Sequence, residues 1–92
     1  MRLKARIDNN QEEIAQALEK AGCAVERRLA RLGQGIPDLL VWNGWWYLLE
    51  VKQIGEPLTD KEKKWHKKFP VDVVHTVEEA FKAVGIKEAK HV

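Results

Sequence analysis

Residues 36–52 read IPDLLVWNGWWYLLEVK and decide the fold. Two runs of apolar and aromatic residues flank Asn43-Gly44, a pair typical of the tight turn between antiparallel strands. The segment therefore predicts a β-hairpin. Because both runs are almost entirely apolar, we expect both faces of these strands to be covered. The charged residues at the open end of the hairpin, Asp38, Glu50 and Lys52, are then conspicuous.

The segments before the hairpin predict a helix and a strand. Apolar residues recur at helical spacing over 10–21, preceded by possible capping residues at 8–10 and followed by Gly22 as a C-terminal stop. Residues 23–32 alternate loosely between apolar and polar. They predict a strand that passes into a glycine-containing loop over 31–35.

Two further helices and a strand are predicted after the hairpin. Thr59 and Glu62 form the pattern of a capping box, which predicts a helix from there to about Phe69. Residues 71–77 predict a fourth strand, and a second capping-box pattern over 76–79 predicts a short helix through about Val84. The order α-β-β-β-α-β-α indicates an α/β (α+β) fold, a small four-stranded mixed sheet with flanking helices.

The composition indicates one ordinary globular domain over residues 1–92, with 45% hydrophobic and 33% charged residues. The net charge of +2 is too small to indicate an acidic partner by itself. Cys23 is the only cysteine, so an internal disulfide is excluded and a reducing compartment is indicated. With no apolar stretch approaching ~20 residues, we expect no membrane segment and a cytoplasmic location.

The charged residues of the hairpin can form a metal site. Glu50 and Lys52 are two residues apart and point to the same face of their strand, while a hairpin brings Asp38 beside them. Carboxylate and carbonyl oxygens are the ligands that Mg²⁺ or Mn²⁺ prefers. Lys52 could orient an attacking water or stabilise developing negative charge. A turn-ending Asp38 and a surface ion pair at the strand end form the simpler structural explanation.

The hairpin loop decides whether the two carboxylates can meet. A two-residue turn over 43–44 would place them on opposite faces of the sheet, where they cannot share an ion. The metal site therefore requires a loop with an odd number of residues, or a bulge. The simplest solution is a three-residue loop over 42–44 with Gly44 left-handed, which pairs Val41 with Trp45. A bulge nearer the first carboxylate would also serve.

Residues 35–41, GIPDLLV, followed by residues 49–52, LEVK, resemble the PD-(D/E)XK nuclease superfamily, and within it small phage-type VRR-NUC proteins and Holliday-junction resolvases. The resemblance implies a restriction-endonuclease-like core and a Mg²⁺-dependent deoxyribonuclease, with Mn²⁺ as a substitute and no small-molecule cofactor. It implies that Asp38, Glu50 and the Val51 carbonyl bind the metal and that Lys52 is the catalytic lysine. Junction or branched DNA is one substrate class, and a bacterial or phage-infected cytoplasm is the expected setting.

One position departs from that family pattern. The family often places a glutamate on the inward face of the first helix, and here the corresponding residue is Gln11, beside Glu12 and Glu13. Gln11 could act in a weaker form, Glu13 could substitute, or the site could lack this residue. First-turn acids favoured by the helix dipole are an equally good explanation of the two glutamates.

Basic and aromatic residues suggest how a partner would bind. Arg27, Arg28 and Arg31 approach the loop before Asp38 and are candidates for DNA phosphate contacts, as are Lys61 and Lys64. A solvated helix face explains the lysines equally well. The three tryptophans around the turn indicate core packing or a partner interface more than base stacking. A short chain acting on both strands of a duplex would gain from pairing, so we expect a homodimer.

Two functions compete on this sequence. A metal-dependent DNA endonuclease is favoured because Asp38, Glu50 and Lys52 are all present. A DNA-binding module that keeps the nuclease fold without strong catalysis is favoured by the missing first-helix glutamate. A purely structural protein would leave the cluster of two acids and a lysine without a purpose.

Overall fold

The computed structural model describes residues 2–87, with side chains described from Asn10 onwards. Three helices pack on a four-stranded mixed sheet, which is a small α+β architecture. The helices are α1 (Arg2–Lys20), α2 (Asp60–Lys68) and α3 (Val77–Ala83), and the strands are β1 (Ala24–Glu26), β2 (Leu39–Trp42), β3 (Trp46–Val51) and β4 (Asp72–Val74). The predicted order of helices and strands is confirmed, with an added 3₁₀ helix at Arg28–Leu32.

The sheet has the spatial order β1-β2-β3-β4. The first three strands are antiparallel, and β4 returns through α2 to pair with β3 in parallel. Such a parallel return needs a crossover segment, which α2 supplies. The crossover places α2 on the sheet face that carries Glu50 and Lys52.

The core lies on the other face of the sheet. Ile14 and Leu18 from α1 and Ala80 and Val84 from α3 are buried against it. The sheet contributes alternate residues of its central strands, because successive strand residues point to opposite faces. These are Leu39 and Val41 on β2 and Leu49 and Val51 on β3.

The ends of α1 were predicted with mixed success. The helix extends back to Arg2, so the expected N-cap over 8–10 is wrong and those residues lie within the helix. The C-terminal stop is confirmed. Gly22 has a φ of 103°, the Cys23 amide donates to the Leu18 carbonyl, and the Gly22 amide donates to the Glu19 carbonyl. This is the bond pattern of a glycine-terminated helix.

The capping residues of the other two helices are confirmed. The Thr59 hydroxyl accepts from the Glu62 amide at 3.1 Å, and a Glu62 carboxylate oxygen accepts from the Thr59 amide at 2.8 Å. Thr76 likewise accepts from the Glu79 amide at 3.0 Å. The Glu79 carboxylate, however, accepts from the His75 amide instead of returning to Thr76, so the second capping box is only half formed.

Two predictions about the strands need correction. Residues 28–32 form a 3₁₀ helix and not the end of a strand, so β1 is short. One face of the hairpin is only partly covered, so the prediction that both faces are covered is right only in part. Trp42 is 41% exposed and Trp46 is 58% exposed, because α2 covers this face at the end of the sheet that holds Glu50 and leaves the turn end open.

The hairpin loop has an odd number of residues, as the metal site requires, but it lies one residue later in the sequence than expected. Trp42 pairs with Trp46, and the loop is Asn43-Gly44-Trp45 with Gly44 left-handed at a φ of 79°. The two indole rings lie 4.8 Å apart between centroids, and the Asn43 side chain donates to the Val84 carbonyl at 2.8 Å. The aromatic pair and this anchor account for the shift, since both fix the strand ends at 42 and 46.

Candidate metal and catalytic site

The strand register brings the predicted acids together. Leu39 pairs with Leu49, so Asp38, which precedes β2 by one residue, lies across from Glu50. Lys52 follows Glu50 by two residues and shares its face. Glu50 is 2% exposed and Lys52 is 5% exposed. Three ionisable groups thus meet at one end of an apolar sheet, where burial of charge is costly unless it is compensated.

Asp38 is fixed by the strand opposite. Its Oδ2 accepts a hydrogen bond from the Val51 amide at 2.8 Å. The Asp38 carboxyl group is also close enough to that of Glu50 for its charge to raise the Glu50 pKa. Because burial and this charge favour the protonated form of Glu50, that side chain holds a proton at neutral pH in the metal-free protein.

Lys52 is held by α2. Its Nζ lies 2.8 Å from Oε1 of Glu62 and 3.4 Å from Oε2 of Glu56. Glu62 Oε1 also accepts from the Thr59 amide, so one oxygen joins the start of α2 to the lysine. We refer to Asp38, Glu50, Lys52 and Glu62 as the acid–lysine cluster.

The environment favours the neutral form of the two paired acids. Burial, followed by the charge and hydrogen bond of Asp38, raises the pKa of Glu50 to about 9. Burial also raises the pKa of Asp38, although the Val51 amide and the hydrogen bond with Glu50 act in the opposite direction. A cation that replaced the proton on Glu50 would remove this penalty.

The second pair of the cluster is ionised. Burial alone would lower the pKa of Lys52, but the hydrogen bond and charge of Glu62, with the charges of Glu56 and Glu50, raise it above its ordinary value. Burial alone would raise the pKa of Glu62, but Lys52 and the Thr59 amide lower it. Lys52 is therefore an ammonium group at neutral pH, directly beside the paired acids.

The first-helix candidates are not joined to the cluster. Gln11 is half-buried and Glu13 is exposed, and within residues 10–87 neither forms a hydrogen bond or ion pair with Asp38 or Glu50. Their helix packs on the opposite sheet face. Glu12 instead forms an ion pair with Arg27 at 2.9 Å.

The candidate DNA-binding residues differ in whether acidic side chains already pair with them. Arg27 pairs with Glu19 as well as Glu12, and Arg28 pairs with Glu26 at 2.7 Å. Their roles as phosphate contacts stay predictions, since a phosphate would compete with these carboxylates. Arg31, Lys61 and Lys64 are exposed. The Lys61 ammonium donates to the Gln34 side chain at 3.3 Å, which places it beside the loop before Asp38.

That loop approaches α2 closely at one glycine. Gly35 has a φ of 81°, and a Cβ there would lie 2.5 Å from the carbonyl carbon and oxygen of Lys61. Only glycine fits this contact. The contact packs the first turn of α2 against the loop that leads into Asp38, and so fixes the positions of these two parts of the site.

Two residues of the site were not predicted, Glu62 and His66. Glu62 completes the acid–lysine cluster, and His66 Nε2 lies 3.9 Å from Oε1 of Glu50. The signal was present in their spacing, because residues four apart share a helix face. The capping-box pattern accounts for Glu62 by itself, so its second contact, with Lys52, is not evident without knowing where α2 packs.

The donor set fits a hard divalent cation, although its side chains are not yet arranged around one. In residues 10–87 no group of three or more His, Cys, Asp or Glu side chains has an arrangement that could hold a metal ion as it stands. Glu50 Oε1, however, is buried without a hydrogen-bond partner. An unpaired buried carboxylate oxygen beside a second carboxylate is what an incoming cation would satisfy.

Comparisons of the chain with family models, with curated proteins and with solved structures gave no match. In the part of the chain that the structure describes, no helix is both long and apolar enough to cross a membrane.

Proposed function

We propose that the protein is a metal-dependent deoxyribonuclease of the PD-(D/E)XK type, which hydrolyses phosphodiester bonds within DNA. The observation that carries the proposal is the burial of Glu50 and Lys52 beside the part-buried Asp38 on one face at the end of the hairpin. Burying two acids and a lysine costs stability, and a merely structural ion pair would not need the second acid.

The residues have distinct parts in this reaction. Asp38 and Glu50, with the Val51 carbonyl, would hold Mg²⁺ or Mn²⁺. The bound ion would supply an activated water and neutralise charge on the scissile phosphate. Lys52 is charged and fixed by Glu62, so its ammonium can orient a water and stabilise negative charge in the transition state.

The substrate surface is proposed at the loop before Asp38 and the first turns of α2. Arg31, Lys61 and Lys64 are exposed there or nearby, and Lys61 reaches the loop through Gln34. Ammonium and guanidinium groups bind the DNA backbone irrespective of sequence. Junction and branched DNA are the substrates to compare first with linear duplex.

The test is cleavage of end-labelled junction, flap and linear DNA by the purified protein. We expect cleavage with Mg²⁺ or Mn²⁺ and none with EDTA, because the buried carboxylates need an ion to act on a phosphate. An Asp38→Asn protein prepared in parallel controls for contaminating nucleases. Equal cleavage by the two proteins would assign the activity to a contaminant and contradict the proposal.

A second candidate is a DNA-binding module with weak or no catalysis. It is favoured by one observation, that no acid from α1 is joined to Asp38 or Glu50 in the described residues. DNA binding that is retained with every metal, without cleavage of any DNA form, would support this candidate over the nuclease.

We also propose that the protein pairs as a homodimer through the open half of the α2-side sheet face. Leu40, Trp42 and Trp46 line a groove there with Ala24 and Glu26, and we call this surface the tryptophan face. Two exposed indoles at the centre of an apolar groove are characteristic of interface residues. A duplex with two strands to cut would be served by two sites related by a two-fold axis.

Substituting Trp46→Lys is expected to weaken self-association by about tenfold or more, since it places a charge in the centre of the apolar groove. Sedimentation equilibrium over a range of protein concentrations measures the effect. Leu32→Lys is the matched control, because Leu32 is 64% exposed on the 3₁₀ helix and outside this groove. A wild-type protein that stays monomeric at high concentration would contradict the dimer.

A further inference from the structure

Two buried polar atoms face each other beside the acid–lysine cluster without a partner. His66 Nε2 and Glu50 Oε1 are both buried, and neither forms a hydrogen bond. The two atoms lie 3.9 Å apart, and the side chains are 15% and 3% exposed. That distance is too long for a hydrogen bond between them. An unpaired buried polar group costs stability, so the pair needs an explanation.

The separation lies within the range spanned by two atoms bound to one cation. Ligand atoms that each lie about 2.1 Å from a metal ion are separated by roughly 3–4.2 Å. The imidazole nitrogen and the carboxylate oxygen are both effective metal ligands when unprotonated. Asp38, the other acid of the pair, lies across from Glu50 on the same side of the sheet.

We propose that His66 is a third side-chain ligand of the divalent cation held by Asp38 and Glu50, and that it gives the site a preference for Mn²⁺ over Mg²⁺. This inference rests on the proposed function, since it assumes that the two acids hold an ion. The preference follows from ligand chemistry: imidazole suits first-row transition metals, whereas Mg²⁺ favours an all-oxygen shell.

The fold holds His66 in place for this role. Glu62 lies four residues earlier on α2 and is fixed by both the Thr59 amide and the Lys52 ammonium. Residues four apart share a helix face, so the contact that fixes Glu62 also presents His66 to Glu50. Because the position of α2 is already fixed, His66 loses little conformational freedom when an ion binds.

The inference is tested by titrating Mn²⁺ and Mg²⁺ into the full chain by calorimetry, without DNA. We expect His66→Ala to weaken Mn²⁺ binding by about tenfold or more and Mg²⁺ binding by much less, which reduces the Mn²⁺ preference. His75→Ala is the matched control, because His75 is also half-buried but contacts Glu79. An unchanged ratio of the two affinities in His66→Ala would overturn the inference while leaving the nuclease proposal intact.

A measurement on the unaltered protein covers the case in which the variant does not fold. With ¹⁵N-labelled histidine, addition of Zn²⁺ is expected to shift the Nε2 resonance of His66 to the position of a metal-bound nitrogen and to leave His75 unchanged. A His66 resonance that does not move, although calorimetry shows an ion bound, would overturn the inference. Absence of any metal binding by wild type would overturn both this inference and the nuclease proposal.

Discussion

Replacing Lys52 with alanine is expected to slow DNA cleavage by at least about a hundredfold while changing DNA affinity by less than about threefold. The reason is that its ammonium is buried and acts on charge that develops only in the transition state. The ion pair with Glu62 keeps it charged and fixed in the ground state. Single-turnover cleavage with Mg²⁺ gives the rate, and fluorescence anisotropy in EDTA gives the affinity.

The control for this comparison is Lys82→Ala. Lys82 is exposed on α3, which packs on the opposite face of the sheet. Because removal of Lys52 leaves Glu62 and Glu56 without their cation, the unfolding of the variant has to be measured beside its activity. A folded Lys52→Ala protein that cleaves at the wild-type rate would remove the lysine from the mechanism.

The second large effect is a loss of stability with rising pH in the metal-free protein. The pKa of Glu50 is raised to about 9 in the folded state from an ordinary 4.5. A group that holds its proton more tightly when folded stabilises the fold fully at low pH, below its unfolded pKa. That contribution is lost as the pH rises from about 4.5 towards 9. At pH 7 the loss from this one group is on the order of 3 kcal/mol.

The substitution Glu50→Gln should remove this dependence. In EDTA we expect the variant to be more stable than wild type at pH 8, by more than ~10 °C in melting temperature, and the difference to shrink towards pH 5. Urea unfolding at a series of pH values measures it, with the exposed Glu78→Gln as control. Parallel pH profiles for the variant and wild type would contradict the burial argument.

Of the other ionisable groups beside Glu50, Asp38 acts in the same direction, whereas Glu62 and Lys52 act in different pH ranges. The raised pKa of Asp38 acts in the same direction as that of Glu50. The lowered pKa of Glu62 affects stability only below its ordinary value of 4.5, and the raised pKa of Lys52 affects it only above 10.5. The interval from pH 5 to pH 9 therefore reports mainly on the paired acids.

Local signals in the sequence were sufficient for most of the fold. Thr59 and Glu62, Thr76, and Gly22 mark helix ends by chemistry that involves only neighbouring residues, and the structure confirms each. The hairpin and the presence of an odd loop followed from the need to bring two carboxylates to one face. The 3₁₀ helix at Arg28–Leu32 was missed because a short alternating pattern does not distinguish it from a strand.

The parts of the site that sequence could not supply depend on packing between distant elements. Glu62 and His66 meet Lys52 and Glu50 only because α2 lies on that face of the sheet. Likewise, the counter-charges Glu12 and Glu19 of Arg27 lie on α1, whose distance from residue 27 no local pattern encodes. Trp42 and Trp46 were open to several interpretations until their exposure was known.

The register set by the Trp42–Trp46 pair also limits how this gene can change. Inserting or deleting one codon between Asp38 and Trp42, or between Trp46 and Glu50, would turn one of the two acids to the opposite sheet face, even though no residue of the cluster is altered. A change of length within the loop Asn43-Gly44-Trp45 leaves the paired strands and their facing unchanged, because a surface loop absorbs added residues. Single-residue length changes should therefore be tolerated in the turn and excluded from the strands beside it.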